Sequence, residues 1–420
     1  MHPLSYLSKT PGIGGSIKSV PEDFIVEEIC NDGTVLSSDT SPTKPDEPGG
    51  RFVHFILQKR DWSTASAISE IAKRLGTNHR HLSFAGNKDK TAVTTQLVSV
   101  MGVPKERLLA LNIKDISVNG AWTAKDKVRL GQLLGNRFTI TVRDAGRGGD
   151  AASIAETVSS IASELGGRFP NYFGEQRFGS TRRNTCDVGI AIVRGNLEEA
   201  VRIFLCDSGN EQNEQARLAR EELKASGEYG RALNYFPRHL RLERMLLGHL
   251  QKKPGDYTGA LLALPRPTLL MFVHAVQSRI FNGLLSERLA ERLSEGRDGC
   301  GIEPERGEYF CGEALGFPDT GKAEAEGWVV GKLIGYDSPL NERERAMLEK
   351  LGIEKDQFRI RQLPDIASRG TYRTLFAPLR DFNFSADSCT FRFSLPAGSY
   401  ATVAMREFMD GSKKKAARGE

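Results

Sequence analysis

Cysteine is scarce in this 420-residue chain: Cys30, Cys186, Cys206, Cys300, Cys311 and Cys389 form no CxxC pair and no zinc-ligand spacing. That predicts reduced thiols rather than a disulfide framework, and no structural metal. Long apolar runs are missing too, none approaching the roughly 20 residues that span a bilayer. The start, MHPLSYLSKTPGIGGS, has no basic end followed by an apolar core. A soluble, cytoplasmic protein without membrane attachment is expected.

Several catalytic signatures are absent. There is no GxxxxGK[ST] loop to hold phosphates, and EGWVVGKLI (326 to 334) lacks the Ser or Thr that would complete one. The NKD of residues 87 to 89 echoes the NKxD element of GTPases but is one residue short. No GxSxG elbow or HExxH helix occurs, and the seven histidines, including the close pair His79 and His81, show no partner by spacing. Acid and base chemistry therefore falls to carboxylates and lysines.

What is present is ordinary globular composition, 39% hydrophobic and 26% charged, with Lys plus Arg exceeding Asp plus Glu by 58 to 53. The formal charge of +5 suits a polyanionic partner without demanding one. The length predicts two domains, or one domain interrupted by another. IKSVPEDFIVEEI (17 to 29), RFVHFILQKR (51 to 60), HLSFAG, TTQLVSVMG and NRFTITVRD (136 to 144) alternate as strands, and Ser63 or Thr64 caps a helix that Gly76 ends. NDGTVLSSDTSPTKPDEPGG (31 to 50) reads as a long loop or hairpin extension. From Arg168 to Gly370 the spacing is mainly helical, and strands return in YRTLFAPL and SCTFRFSLPAGSY before a last helix in TVAMREFM. GSKKKAARGE closes the chain as a basic tail. These patterns predict an α+β fold, a sheet domain built from both ends of the chain with a helix-rich domain inserted between them.

Within that frame, FAGNKDKTAVTTQ (84 to 96) places Asp89 between Lys88 and Lys90 on a loop between two strands. Neighbouring cations would keep its carboxylate ionised as a nucleophile or base; the plainer reading is a solvated turn residue. FAGNKDKTAVTTQ resembles the signature of the tRNA pseudouridine synthase D (TruD) family. Four further blocks resemble family blocks in the same order: IKSVPEDFIVEEI, RLGQLLGNRFTITVRD (129 to 144), PNYFGEQRFG (170 to 179) and FSLPAGSYATVAMRE (393 to 407). Together they span nearly the whole chain.

The resemblance implies a mixed, mainly antiparallel sheet flanked by helices as the catalytic domain (1 to 167 and 371 to 420), interrupted by the family's own inserted domain (168 to 370). It implies an isomerase that converts a uridine of tRNA, expected at position 13 in the D arm, to pseudouridine with no cofactor and no obligatory protein partner. Asp89 is the implied essential group, acting on the ribose as a nucleophile or as the base leading to a glycal. Lys18, Asn136, Phe138 and Tyr400 are the implied substrate-binding residues: Lys18 beside Asp89 and the target phosphate, Asn136 on Asp89 or a uracil edge, Phe138 and Tyr400 as aromatic walls for a flipped base.

Without the resemblance Lys18 reads as surface, Asn136 as a turn residue and Phe138 as strand core. Glu22 and Gln96 are equally well explained as a turn cap and a strand-end hydrogen bond. Arg177, Arg182 and Arg183 are candidate RNA contacts near the start of the inserted domain, with RNA expected in a cleft beside it. Arg238, Arg241 and Arg244 recur at helical spacing, as a basic stripe or a solvated face. A noncatalytic RNA-binding protein and an enzyme acting on free nucleotides are the competing functional classes.

Overall fold

Strand alternation builds one mixed sheet. Its strands are β1 (Phe24–Ile29), β2 (Phe52–Arg60), β3 (Leu82–Phe84), β4 (Val93–Met101), β5 (Ile116–Ala124), β6 (Gly135–Thr141), β7 (Arg380–Ser385) and β8 (Thr390–Pro396). The order is β7-β8-β6-β1-β4-β2-β5, with β3 also on β4. Only β1 and β4 run parallel; the other ladders are antiparallel. The computed structural model describes residues 4–38, 44–148, 150–179, 181–297 and 299–410. The basic tail lies outside them, as does part of the loop expected over 31 to 50.

The odd positions of β2, Val53, Phe55 and Leu57, pack with Val98 and Val100 of β4 onto helix α1 (Thr64–Leu75), which presents Ala67, Ile68, Ile71 and Leu75. Ser63 caps α1 through the Ser66 amide, and Gly76 ends it in the left-handed conformation. Phe391 on β8 meets Phe408 on helix α2 (Ala401–Met409) with ring centroids 5.2 Å apart. The aromatic content of SCTFRFSL thus anchors the last helix to the sheet.

The chain divides into two compact units, one of residues 6–169, 313–318 and 377–420 and one of 1–5, 170–312 and 319–376. The first holds the sheet just described. The second centres on the helix Arg266–Ser294, against which Thr185–Val193 lies so closely that a β-carbon on Gly189 would come within 2.2 Å of the Phe272 carbonyl oxygen.

This second unit also holds strands that helical spacing does not announce. Trp328–Ile334 pairs antiparallel with Gly370–Thr374 and with Tyr309–Ala314. The adjacent strand Phe317–Glu324 is exposed along nearly its whole length, so it carries no apolar alternation to read. The region between 168 and 370 is therefore helix-rich but not purely helical. The strands Ile116–Ala124 and Arg380–Ser385 of the sheet unit are likewise additions to the expected set.

Candidate active site

Asp89 follows β3 on a loop held from beneath by three buried polar groups. The Lys88 amide donates to Thr64 Oγ1 at 2.9 Å, the Thr64 hydroxyl donates to Gln96 Oε1 at 3.1 Å, and Gln96 Nε2 donates to the Gly86 carbonyl at 3.1 Å. Both Thr64 and Gln96 are fully buried. Buried polar groups that satisfy one another fix geometry as well as energy, because breaking any link strands the others. Gln96 thus acts as the latch of the loop rather than as a simple strand-end bond.

A fourth group holds the aspartate itself. Lys59 Nζ donates to the Asp89 backbone carbonyl at 2.7 Å. Lys59 has no solvent exposure, and burial pulls its ammonium down to about 8 from an ordinary 10.5, partly offset by the nearby Asp89 carboxylate. Its strand position gives the reason for its burial: it continues the inward row Val53, Phe55, Leu57.

The carboxylate of Asp89 pairs with Lys18, Nζ to Oδ2 at 2.7 Å, with side chains 20% and 30% exposed. The lysine flanking it in sequence does something else. Lys88 turns inward to Glu28 at 2.7 Å, and Glu28 also accepts from the Leu97 amide at 3.1 Å. The expectation that Lys88 supports the Asp89 carboxylate is therefore corrected: adjacent side chains on an extended loop point to opposite sides, and Lys88 is spent on Glu28.

Lys18 is presented by a fixed turn. Its own φ is 62°, a left-handed conformation uncommon for a lysine. Reciprocal backbone bonds of 2.8 Å between Ser16 and Arg143 hold one side of the turn. On the other, the buried Asp23 carboxylate accepts from the Val20 amide at 3.1 Å and from Arg143 at 2.6 Å. The Arg143 guanidinium holds Asp23 below the usual carboxylate range. Glu22 in the same turn pairs with Arg60 at 2.5 Å, so it closes a surface ion pair beside the turn.

The ammonium of Lys18 lies 4.0 Å from the centroid of Phe24, and Phe24 meets Phe138 edge-on at 6.0 Å. Phe138 packs in turn on Phe393 at 5.8 Å and is 6% exposed. It is a member of a buried aromatic row that runs from the Lys18 side across β1, β6 and β8.

Asn136 stands opposite Glu28 and Leu395 in the ladders, and its buried Oδ1 has no hydrogen-bond partner. An orphaned buried acceptor costs about 1–3 kcal/mol, which makes it a candidate for a substrate donor. Gly135 just before it is required by close approach, since a β-carbon there would meet the Leu395 carbonyl oxygen at 2.3 Å. Tyr400 stands half-buried at the head of α2, in a turn tied to the same region by the Ala397 amide bond to Leu134 O at 3.0 Å.

The arginines expected on RNA lie in the helix-rich unit and differ among themselves. Arg182 donates to the carbonyls of Phe204 and Asp207 and to Glu243, with its side chain 12% exposed. It is internal structure rather than a surface contact. Arg183 is exposed and pairs with Glu175 at 2.8 Å. Arg177 lies over the Phe173 ring at 5.2 Å, with its Nε buried and unpartnered. The basic stripe is also corrected: Arg244 folds back on the carbonyls of Leu233 and Phe236, and Arg238 precedes the helix Arg241–Lys252. No cluster of metal-ligating side chains occurs among the described residues, and no helix there is long and apolar enough to cross a membrane.

With this geometry in view, comparison with known proteins is informative. The family model of tRNA pseudouridine synthase D (TruD) matches residues 2–408. A probable tRNA pseudouridine synthase D of Thermococcus sibiricus is 36% identical, covering 96% of this chain and 97% of its own. One of Methanopyrus kandleri is 39% identical over 86% of each. The crystal structure of a putative tRNA pseudouridine synthase D (TruD) from Methanosarcina mazei superposes with a TM-score of 0.73 at 30% identity, covering 97% of both chains. A family match from Met1's neighbour to the last helix, with the fold to go with it, makes this chain a member of the tRNA pseudouridine synthase D family.

Proposed function

We propose that this protein is a cytoplasmic tRNA pseudouridine synthase that isomerises uridine 13 of the D arm, with Asp89 as its essential group. The observation that carries the reading is the 2.7 Å pair of Lys18 and Asp89, formed between two family-matching motifs 71 residues apart. The Lys18 ammonium fixes where the carboxylate stands, and partial exposure leaves it reachable by a ribose. The inserted domain of roughly 168 to 370 belongs to the same proposal, with tRNA as its partner.

In the reaction the N1–C1′ bond breaks, the uracil turns, C5 bonds to C1′, and the C5 proton is lost while N1 gains one. Asp89 acts on the ribose, either by forming a C1′ ester or by removing the C2′ proton to give a glycal. Asn136 Oδ1 accepts from a uracil N–H, which supplies the partner that its buried oxygen lacks. Tyr400 and Phe138 supply flat surface in place of the stacking the base leaves. Lys18 stands at the target phosphate as well as at Asp89, and Arg177 and Arg183 add charge toward RNA.

Pseudouridine mapping of total tRNA with and without the enzyme tests this directly, with new pseudouridine expected at one D-arm position. Tight tRNA binding without product would instead indicate a noncatalytic RNA-binding protein. Turnover of free uridine or UMP would indicate a small-molecule enzyme.

A further inference from the structure

Between β5 and β6 the chain makes a turn whose Leu130 is 82% exposed, the most exposed large hydrophobic side chain among the described residues; Leu315 follows at 64%. A single exposed leucine is unremarkable in itself. This one is held rigidly and in a particular place. Within the turn, the Gln132 amide donates to the Arg129 carbonyl at 3.0 Å, the Leu133 amide to the Gly131 carbonyl at 2.9 Å, and the Arg129 amide to Gln132 Oε1 at 2.9 Å. A further bond fastens the turn to the catalytic loop, from the Gly131 amide to the Ala85 carbonyl at 2.7 Å.

Ala85 lies four residues before Asp89, a reach of at most about 14 Å of extended chain. On the other side, Asn136 follows Leu130 by six residues on β6. Leu130 is therefore an apolar tip beside Gly131, which ties the turn to the chain leading to Asp89, and six residues before Asn136. A hollow of about 470 Å³ lies around it, lined by Asp126, Lys127, Arg129, Leu130, Gly131 and Gln132. The flanking charges Lys125, Lys127 and Arg129 outnumber Asp126. The Arg129–Asp126 pair, 3.9 Å apart and well exposed on both sides, is too weak to mask them.

An apolar tip in a basic rim suits stacked nucleic acid, where phosphates meet the cations and the apolar group enters between bases. Taking a nucleotide out of a stack leaves a gap whose closure would return it, and a side chain filling that gap holds the flipped state. We propose that Leu130 is the wedge that enters the RNA stack beside the target uridine and occupies the space the flipped base vacates. The proposal rests on the reading of this chain as an enzyme that isomerises a uridine within tRNA.

The test uses tRNA carrying 2-aminopurine next to the target uridine, whose fluorescence rises when its neighbour leaves the stack. Asp89→Asn protein should raise the signal on binding, and Asp89→Asn with Leu130→Ala should not, whereas Leu130→Met should preserve the rise. In the otherwise native enzyme, Leu130→Ala should lower kcat/KM on tRNA by about tenfold. The melting temperature should stay unchanged, since the side chain is solvent-exposed. The wedge is overturned if the Leu130→Ala protein gives the same fluorescence rise, or if no rise occurs with any variant. A rise that depends on Leu130, together with a native enzyme that forms no pseudouridine in tRNA, would refute the proposed function and leave the wedge standing. Pseudouridine formed with unstacking indifferent to Leu130 would do the reverse.

Discussion

Two lysine–carboxylate pairs of equal length involve the Asp89 loop, Lys18–Asp89 and Lys88–Glu28, each at 2.7 Å. Their side-chain exposures differ: 20% and 30% in the first, 5% and 1% in the second. The same two chemical groups at the same distance therefore have different consequences. In the sealed pair water reaches neither group and each is the other's partner, so the pair fixes the fold of the loop. In the accessible pair the carboxylate is open to solvent and free to exchange its partner, which is what the chemistry proposed for Asp89 requires. Separation in sequence does not distinguish them, and neither does distance; burial does.

The comparison can be broken most severely at the sealed pair. Lys88→Met leaves Glu28 buried without a counter-charge and should cost about 3–5 kcal/mol, read by urea unfolding. Adding Glu28→Gln should recover part of that loss. Equal stability of Lys88→Met and the native protein would show that the pair is not structural.

At the accessible pair the effect moves from stability to rate. Lys18→Met should unfold at nearly the native urea concentration while single-turnover pseudouridine formation falls about 100-fold, equivalent to about 2.7 kcal/mol of barrier. A large stability loss with an unchanged rate would reverse the assignment.

Smaller effects sharpen the role of the buried supports. Gln96→Leu strands Thr64 and the Gly86 carbonyl and should cost about 1–3 kcal/mol, with a lower rate because Asp89 is no longer held. Proteolysis of the 84–92 loop should quicken in the same variant.

Lys59 gives a signal spread over pH, a slope rather than a step. Its folded-state ammonium is pulled down to about 8 against an ordinary 10.5, so between those values the unfolded chain holds more protons and stability rises with pH. The slope is at most about 1.4 kcal/mol per pH unit and should be absent from Lys59→Met, as chemical denaturation across pH 7–10.5 would show.

Much of this site is written in strand alternation. Lys59 extends the inward row of RFVHFILQKR, Glu28 extends Phe24 and Val26, and Gln96 lies between Thr94 and Val98 on the inward face of β4. A charged or amide residue that continues an apolar row must find a partner inside, so period-two reading could have named all three. Which partner each takes is not legible, because it depends on register between strands distant in sequence. The motif around Asp89 and its pairing with Lys18 were legible only as a resemblance, since Lys18 owes its position to a left-handed turn that no propensity predicts.

The helix-rich unit is harder to read for a related reason. Arginines at helical spacing look alike in sequence, yet Arg182 and Arg244 cap carbonyls inside the unit while Arg183 remains exposed. An arginine supplies five donors, and unsatisfied carbonyls at helix ends attract them as readily as phosphates do.

The central claim is that Asp89 performs the chemistry and its supports do not. A single-turnover assay of Asp89→Asn on a transcript of the substrate tRNA, with binding measured on the same preparation, tests it most directly. The account predicts near-native tRNA affinity and no detectable pseudouridine; product formed at the native rate would contradict it.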